Sequence, residues 1–519
     1  MGGKRIAGPP PLGKMPDMLP LSALLLLAAI QAPGAEAPQS RPSPFEGGLE
    51  AVEPRGLRLR TPGATPGYLL VNPLNSKNAH LVDLDGNTVH TWKTQYVPGG
   101  ACVLLPNGNL LRQCQEPDNP RFHGGGIAGR IQELAWDSSV VWEHVQATDQ
   151  LTLHHDFDVL PNGNLLLIAW EYHSPDEALA AGRDLHAVVE EGLWPDTILE
   201  LERNPRGGGK VVWQWRAWDH LMQDRNPKKP NFVAKADHPG RLDINADHRF
   251  EPREESDAER KKREEEEKKM AALGYAGGGA PPPAKGPDKP KSKYKGDWMH
   301  TNSVKHHAGL DVIVISSPEL GELLVIDHST TTAQAATSSG GRHGKGGDIL
   351  FRWGNPRNYG RGTEADQRLH YQHNPTWLKN ADAGAPRLLV FDNGMHRPGD
   401  FSQVLELELP YASGKGFELA AGAAFGPREP VWAYKDAPLF FSPFISGAQR
   451  LANGNTLICS GAAGRVFEVT PEKEVVWDWR NTLGGEEKPT EQGGKAPPHA
   501  LFRAERYGVE YSGLAKLKR

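Results

Sequence analysis

Short apolar runs separated by polar turns fill the chain from about Gly67 onward, and the turns carry a recurring signature. "LPNGN" stands at Leu105–Asn109 and Leu160–Asn164, and "LANGN" at Leu451–Asn455. Each Asn-Gly lies between apolar runs and predicts a hairpin with a type I′ turn, which needs positive φ at both central residues. A second unit, an apolar strand, a polar turn and a strand ending in tryptophan, recurs around the chain. It reads "HLVDLDGNTVHTW" at 80–92, "IQELAWDSSVVW" at 131–142 and "RVFEVTPEKEVVWDW" at 465–479, with looser copies ending at Trp213, Trp353 and Trp432. Trp92, Trp142, Trp213, Trp353, Trp432 and Trp477 are thus equivalents. Two hairpins per unit give four strands, and six units predict an all-β, six-bladed β-propeller. Two stacked β-sandwiches are the alternative, which one repeated tryptophan unit fits poorly.

The unit that ends at Trp92 lacks an inner strand of its own. The tail "PHALFRAERYGVEYSGLA" from Pro498 is available to supply it, so that both chain ends close the ring and remove its open edge.

The flanks read differently. Lys4, Arg5 and Lys14 precede the apolar run "LPLSALLLLAAI" and the small-residue stretch "APGAEA" ending at Ala37, the pattern of a secretory signal over residues 1–37. The run is too short for a membrane anchor, which needs about 20 apolar residues. No other segment is suited to span a bilayer, and an exported location, periplasmic or extracellular, is expected. Residues 38–64 read as an N-terminal linker and 65–519 as the propeller, interrupted at 251–295 by a mixed-charge helical tract and a Gly/Pro/Lys tether of disordered type.

Composition sharpens this little. The 58 glycines and 44 prolines suit a turn-rich fold, and a net charge of −5 gives no reason to expect nucleic acid as a partner. Cys102, Cys114 and Cys459 are odd in number with no metal-like spacing, though Cys102 and Cys114 could pair in an exported chain.

Aligning the inner strands on their turns brings out candidate chemistry. Six residues back from Pro161 stands His155 in "HHDFDVLPNGN"; the same step gives Gly100 and Ser446 in two other units, and "HTNSVK" and "HNPTWL" place His300 and His373 in register with His155. Inner strands line a propeller's channel, so these three histidines should meet at one mouth, with Asn302 on the same strand face as His300. His154, Asp156 and Asn374 are next to them. Three imidazoles can serve as base, acid or nucleophile, or can hold zinc or copper. His220, His306, His307, His328 and His343 lie outside this register and read as surface or loop residues.

These segments, with "DWMHTNSV", "DILFRWGNPRNYGRG" and "SPFISGAQRLANGNTLI", resemble the bacterial arylsulfotransferase family from about Gly67 to Lys516. The resemblance implies a six-bladed propeller that moves a sulfuryl group from an aryl sulfate to a phenol, needing no nucleotide and no cofactor. It implies a transiently sulfated nucleophile at His373 in "YQHNP", with His155, His300 and Asn302 as the other catalytic positions. The family also leads one to expect an arginine after "ISS", where this chain has Pro318. The loop "DNGMHRPGD" should lie at the same end as His373, so Arg397 is the candidate replacement cation, with His154 and Asn374 as further substrate-binding candidates. A non-catalytic exported binding propeller and a histidine-metal enzyme remain the alternatives, and the sequence leaves the oligomeric state open.

Overall fold

The computed structural model describes residues 54–246, 294–379, 385–437, 439–484 and 498–518, with isolated positions at Gly2, Lys261 and Glu265. The secretory signal and nearly all of the 251–295 insertion therefore lie outside the described residues. Among the described residues no helix is long and apolar enough to cross a membrane.

The fold is all-β, a propeller-like arrangement of small antiparallel meanders. Ser303–His307, Val312–Ser317, Glu322–Asp327 and Phe351–Trp353 form one four-stranded sheet, and His373–Trp377, Arg387–Asp392, Gln403–Glu408 and Trp432–Lys435 another. Two further meanders, from Pro98 to Val145 and from Leu151 to Arg216, join through a parallel bridge between Gly100 and His155. A Cβ on Gly100 would stand 1.8 Å from the His155 carbonyl oxygen, so only glycine permits this approach.

Strands near both ends of the main described region enter sheets. Leu501–Gly508 pairs antiparallel with Gly67–Pro73 and becomes the first strand of the sheet that ends at Trp92, as the missing inner strand required. Gly56–Arg60 pairs with Val475–Arg480 and makes the last meander five-stranded. This second closure corrects the reading of 38–64 as a linker: the alternating "GLRLR" satisfies an outer edge that would otherwise be exposed.

The recurring tryptophans tie each meander to the next. Trp142 Nε1 donates to Gly208 O at 3.0 Å, Trp213 to Thr330 Oγ1 at 3.1 Å, Trp353 to Pro427 O at 2.8 Å, Trp432 to Pro471 O at 2.9 Å and Trp477 to Leu84 O at 2.9 Å. Trp92 instead packs edge-on against Trp136 of the following meander, with ring centroids 5.3 Å apart. Burying one side of the indole while satisfying its single donor suits this position to tryptophan alone.

The Asn-Gly hairpins differ from expectation. Gly108, Gly163 and Gly454 have φ of +84°, +86° and +90°, whereas Asn107, Asn162 and Asn453 are not left-handed. Gly108 N donates back to Leu105 O at 2.9 Å and Leu105 N to Asn109 O at 2.8 Å, a type I turn followed by a left-handed glycine. Pro106 and Pro161 fix φ near −65° at the first central position of their turns, where type I′ would need it positive. The last asparagine of the motif links the turn to the third strand, since Asn109, Asn164 and Asn455 each donate Nδ2 to a glutamate there, Glu133, Glu200 and Glu468, at 2.6 Å.

The three cysteines are buried and free. Cys102 faces Arg112 and Cys114 faces Pro98 across their ladder, so the two thiols are out of register and the considered pairing does not form.

Candidate active site

His155, His300 and His373 come together at one end of the inner strands, each at most 2% exposed. The His155 and His300 rings lie edge to face with centroids 4.4 Å apart. His373 is close enough for the charges of His300 and Arg503 to act on it. The backbone explains the convergence: His155, His300, Asn374 and Ser446 all adopt left-handed φ, at 55°, 52°, 52° and 88°, where each strand bends at the channel end. His373 therefore stands one residue before its expected register, and Asn374 occupies the position equivalent to His155. Asparagine tolerates this conformation well. Gly126 makes room for the first imidazole, since a Cβ there would meet the His155 ring at 2.2 Å.

Each ring is held differently. His373 Nδ1 lies 2.8 Å from Asn393 Oδ1 and 3.0 Å from Tyr371 O. A carbonyl oxygen only accepts, so Nδ1 carries the proton and Nε2 the lone pair. Asn393 cannot reverse its amide, because its Nδ2 donates to Ser442 O at 2.7 Å and Ile445 O at 2.9 Å. Burial pushes the His373 pKa down to about 3; the Asn393 hydrogen bond opposes this, and the His300 and Arg503 charges add to it.

His300 is the opposite case. Burial alone would lower its pKa, but Asp297, reinforced by Glu319 and Asp196, outweighs that and raises it. The Asp297 carboxylate takes His300 Nδ1 on Oδ2 and Trp170 Nε1 on Oδ1, the latter at 3.0 Å. His155 is driven well below the usual histidine range by burial and then by the charges of His300, His154, His373 and Arg503. His154 lies behind it, Nδ1 to Nδ1 at 2.8 Å, with Nε2 3.1 Å from Asp196 Oδ1 and its ring stacked on Trp170. Burial and neighbouring charge thus lower the pKa of His155 and His373, while the Asp297 carboxylate raises that of His300.

The remaining expected residues are placed as follows. Asn302 donates Nδ2 to Gln372 O at 2.8 Å, bracing the residue before His373, while its buried Oδ1 has no hydrogen-bond partner among the described residues. Asn374 donates its backbone N to Ser303 Oγ at 3.0 Å and aims Nδ2 at Ala448 O, so it ties neighbouring inner strands together. Pro318 opens the turn into Glu322–Asp327, with Gly321 N donating to its carbonyl at 3.1 Å. Arg397 does lie at the same end as His373, yet it pairs with the buried Asp392 and sits 3.4 Å from His370 Nδ1. It is Asn393 of that segment that reaches His373.

Three residues escaped the sequence reading. Asp297 and Asn393 lie within the quoted segments "DWMHTNSV" and "DNGMHRPGD", and their positions three residues before His300 and directly after the strand paired with His373 were the available signals. Arg503 lies on the closing strand, with a side chain 5% exposed and Nη2 3.0 Å from Asp156 Oδ2. The angles leave Arg503 Nε and Nη2 without an aligned hydrogen bond among the described residues. Its charge acts on both His155 and His373. Asp156 is also 3.3 Å from Lys305 Nζ, so one buried carboxylate faces two cations. Tyr371 and Phe502 stand beside the cluster, their rings 6.2 Å from those of His373 and His155, and belong with Phe444 and Met395 to one buried apolar cluster.

No curated protein matches the chain. Among solved structures, a protein of unknown function from Bacteroides caccae is 12% identical, covering 85% of this chain and 98% of its own, with a TM-score of 0.40. The periplasmic gluconolactonase of Pseudomonas aeruginosa is 10% identical, covering 85% and 96%, with a TM-score of 0.37. The family description Arylsulfotransferase (ASST) matches residues 141–483, a span that holds most of the meanders and all three clustered histidines. Matched over well more than half its length, this chain belongs to the arylsulfotransferase family.

Proposed function

We propose that the chain is an exported six-bladed propeller that transfers a sulfuryl group from an aryl sulfate to a phenol through a sulfohistidine at His373. The observation that carries this reading is the fixed tautomer of His373. A neutral ring whose Nδ1–H is held by Asn393 and Tyr371 has its nucleophilic electron pair on Nε2, and burial keeps it neutral at any ordinary pH.

In the first half-reaction His373 Nε2 forms a bond to sulfur and the bond from sulfur to the aryl oxygen breaks, the electron pair leaving on oxygen. His300, protonated and anchored by Asp297, gives its Nε2 proton to that oxygen, so a neutral phenol departs. In the second half-reaction neutral His300 takes the proton of the acceptor phenol. The acceptor oxygen then bonds to sulfur, and the N–S pair returns to His373. The Arg503 guanidinium opposes the negative charge of the sulfuryl oxygens in the place where Pro318 supplies none. His155 adjoins His300, and the neighbouring rings of Tyr371 and Phe502 offer aromatic surface to an aryl group.

Pro318 favours one second reading, a propeller that binds an aryl sulfate without turning it over. Incubation with an aryl sulfate donor alone, followed by peptide mapping, separates the two. The transferase reading expects sulfate on the peptide that contains His373, one phenol released per chain, and loss of both in His373→Ala. Binding without phenol release would leave the scaffold reading.

A further inference from the structure

Away from the channel, at the other end of the strand Ser303–His307, two imidazoles converge on one carboxylate oxygen. His306 Nε2 is 3.0 Å and His328 Nδ1 2.8 Å from Asp311 Oδ1. The three ligand-type atoms all lie within 4.8 Å of one another, and this is the grouping of that kind found among the described residues; the channel histidines do not form one. From this geometry we propose that His306, Asp311 and His328 form a binding site for a divalent transition metal of the zinc type.

Four features carry the assignment. First, ligands placed tetrahedrally around zinc at about 2.0–2.1 Å stand about 3.3 Å apart, so the two pairs need to open by only about 0.3 and about 0.5 Å. Second, His328 turns its other nitrogen, Nε2, to Glu200 Oε2 at 3.1 Å. A carboxylate behind a ligating imidazole fixes its tautomer and orientation, the usual support of a histidine–metal bond. Glu200 is itself fixed, its Oε1 accepting from Asn164 Nδ2 at 2.6 Å and Asn162 Nδ2 at 3.3 Å.

Third, the backbone is committed to the arrangement. Asp311 adopts φ +54°, with its N donating to His307 O at 2.8 Å and its carbonyl accepting from His328 N at 3.1 Å. His306 N donates to Asp158 Oδ2 at 2.8 Å. Fourth, access is one-sided. The His306 and His328 side chains are 9% and 11% exposed while Asp311 is 28% exposed, which leaves a fourth position towards solvent for water. Arg342 approaches only the other oxygen, Asp311 Oδ2, at 3.8 Å.

Two nitrogens and one oxygen suit zinc, cobalt or nickel and not calcium, which takes oxygen ligands throughout. A bound ion would clasp the Ser303–His307 hairpin to the end of Glu322–Asp327. Through Glu200 the clasp would extend to the preceding meander, about 20 Å along the strand from His300.

The test titrates the chelator-treated full chain with cobalt(II), read by the visible bands of tetrahedral cobalt, then with zinc(II) in competition. One equivalent of cobalt displaced by zinc is expected, with the bands lost in His328→Ala and Asp311→Asn and retained in His373→Ala. Glu200→Gln, which removes no ligand and keeps its hydrogen bonds to asparagine, should weaken the affinity about 10–100-fold. Failure of the unaltered chain to bind one equivalent overturns the site. So does binding that survives Asp311→Asn and disappears in His373→Ala.

Discussion

Asn393 Oδ1 accepts the Nδ1 proton of His373 at 2.8 Å, and together with the Tyr371 carbonyl at 3.0 Å it decides which nitrogen of the buried ring is a base. Asn393 comes from the strand end opposite His373, with its own amide fixed by Ser442 and Ile445. A leucine at Asn393 keeps the volume and removes the acceptor. Asn393→Leu is expected to lower kcat for aryl sulfate turnover by roughly two orders of magnitude, with a smaller change in donor KM. An unchanged kcat would remove Asn393 from the tautomer argument and leave the Tyr371 carbonyl as the acceptor.

The paired states of His300 and His373 set the pH profile. The His300 pKa is raised, so its acid form persists through its usual range and is lost as pH climbs through the raised value, giving an alkaline limb in kcat. With the His373 pKa down at about 3, its protonation adds no acidic limb above about pH 4. Asp297→Asn removes the main force holding the proton on His300, and the alkaline limb should move to lower pH. A limb that stays in place would remove His300 from the role of acid.

Arg503 and Arg397 differ in what their loss should do. Arg503→Gln is expected to raise the donor KM, with partial recovery in Arg503→Lys, because its charge reaches His155 and His373. Arg397 balances the wholly buried Asp392. Arg397→Ala should therefore be felt in thermal stability, at about 3–5 kcal/mol for a broken buried pair. Equal donor KM values for Arg503→Gln and the parent chain would return the search for a cation to the beginning.

Removal of residues from Pro498 onward takes away the strand that pairs with Gly67–Pro73. The truncated chain should lose cooperative unfolding in calorimetry, since an inner edge is left open and the Arg506–Glu468 ion pair is broken. Retention of the parent melting temperature would show that the ring does not depend on its tail.

Repeating features were legible in the sequence because they are written many times. The tryptophan that donates to the next meander, and the asparagine that reaches a third-strand glutamate, recur in register, so one copy explains the others. What escaped was written once. The left-handed turn of Asn374 shifts His373 by one residue, and no hydrophobic pattern encodes the sign of φ. Pro106 and Pro161, with φ near −65°, favour a type I turn that begins one residue before the Asn-Gly pair, a local preference that the Asn-Gly signal masked. The strand Gly56–Arg60 is short and exposed on one side, which made it resemble a linker. Arg397 was placed at the correct end, but its partner Asp392 belongs to the strand, so its charge was already committed. Arg503 lies on the closing strand, whose pattern does not mark which of its charges turns inward.

That tail gives the protein an order of assembly. Residues 501–508 are synthesised after every other strand of the ring, and they bring both the last edge and the guanidinium that faces the histidines. On the proposed mechanism, a chain without this strand lacks the cation beside His155 and His373, and the transfer centre is complete only once the strand is in place.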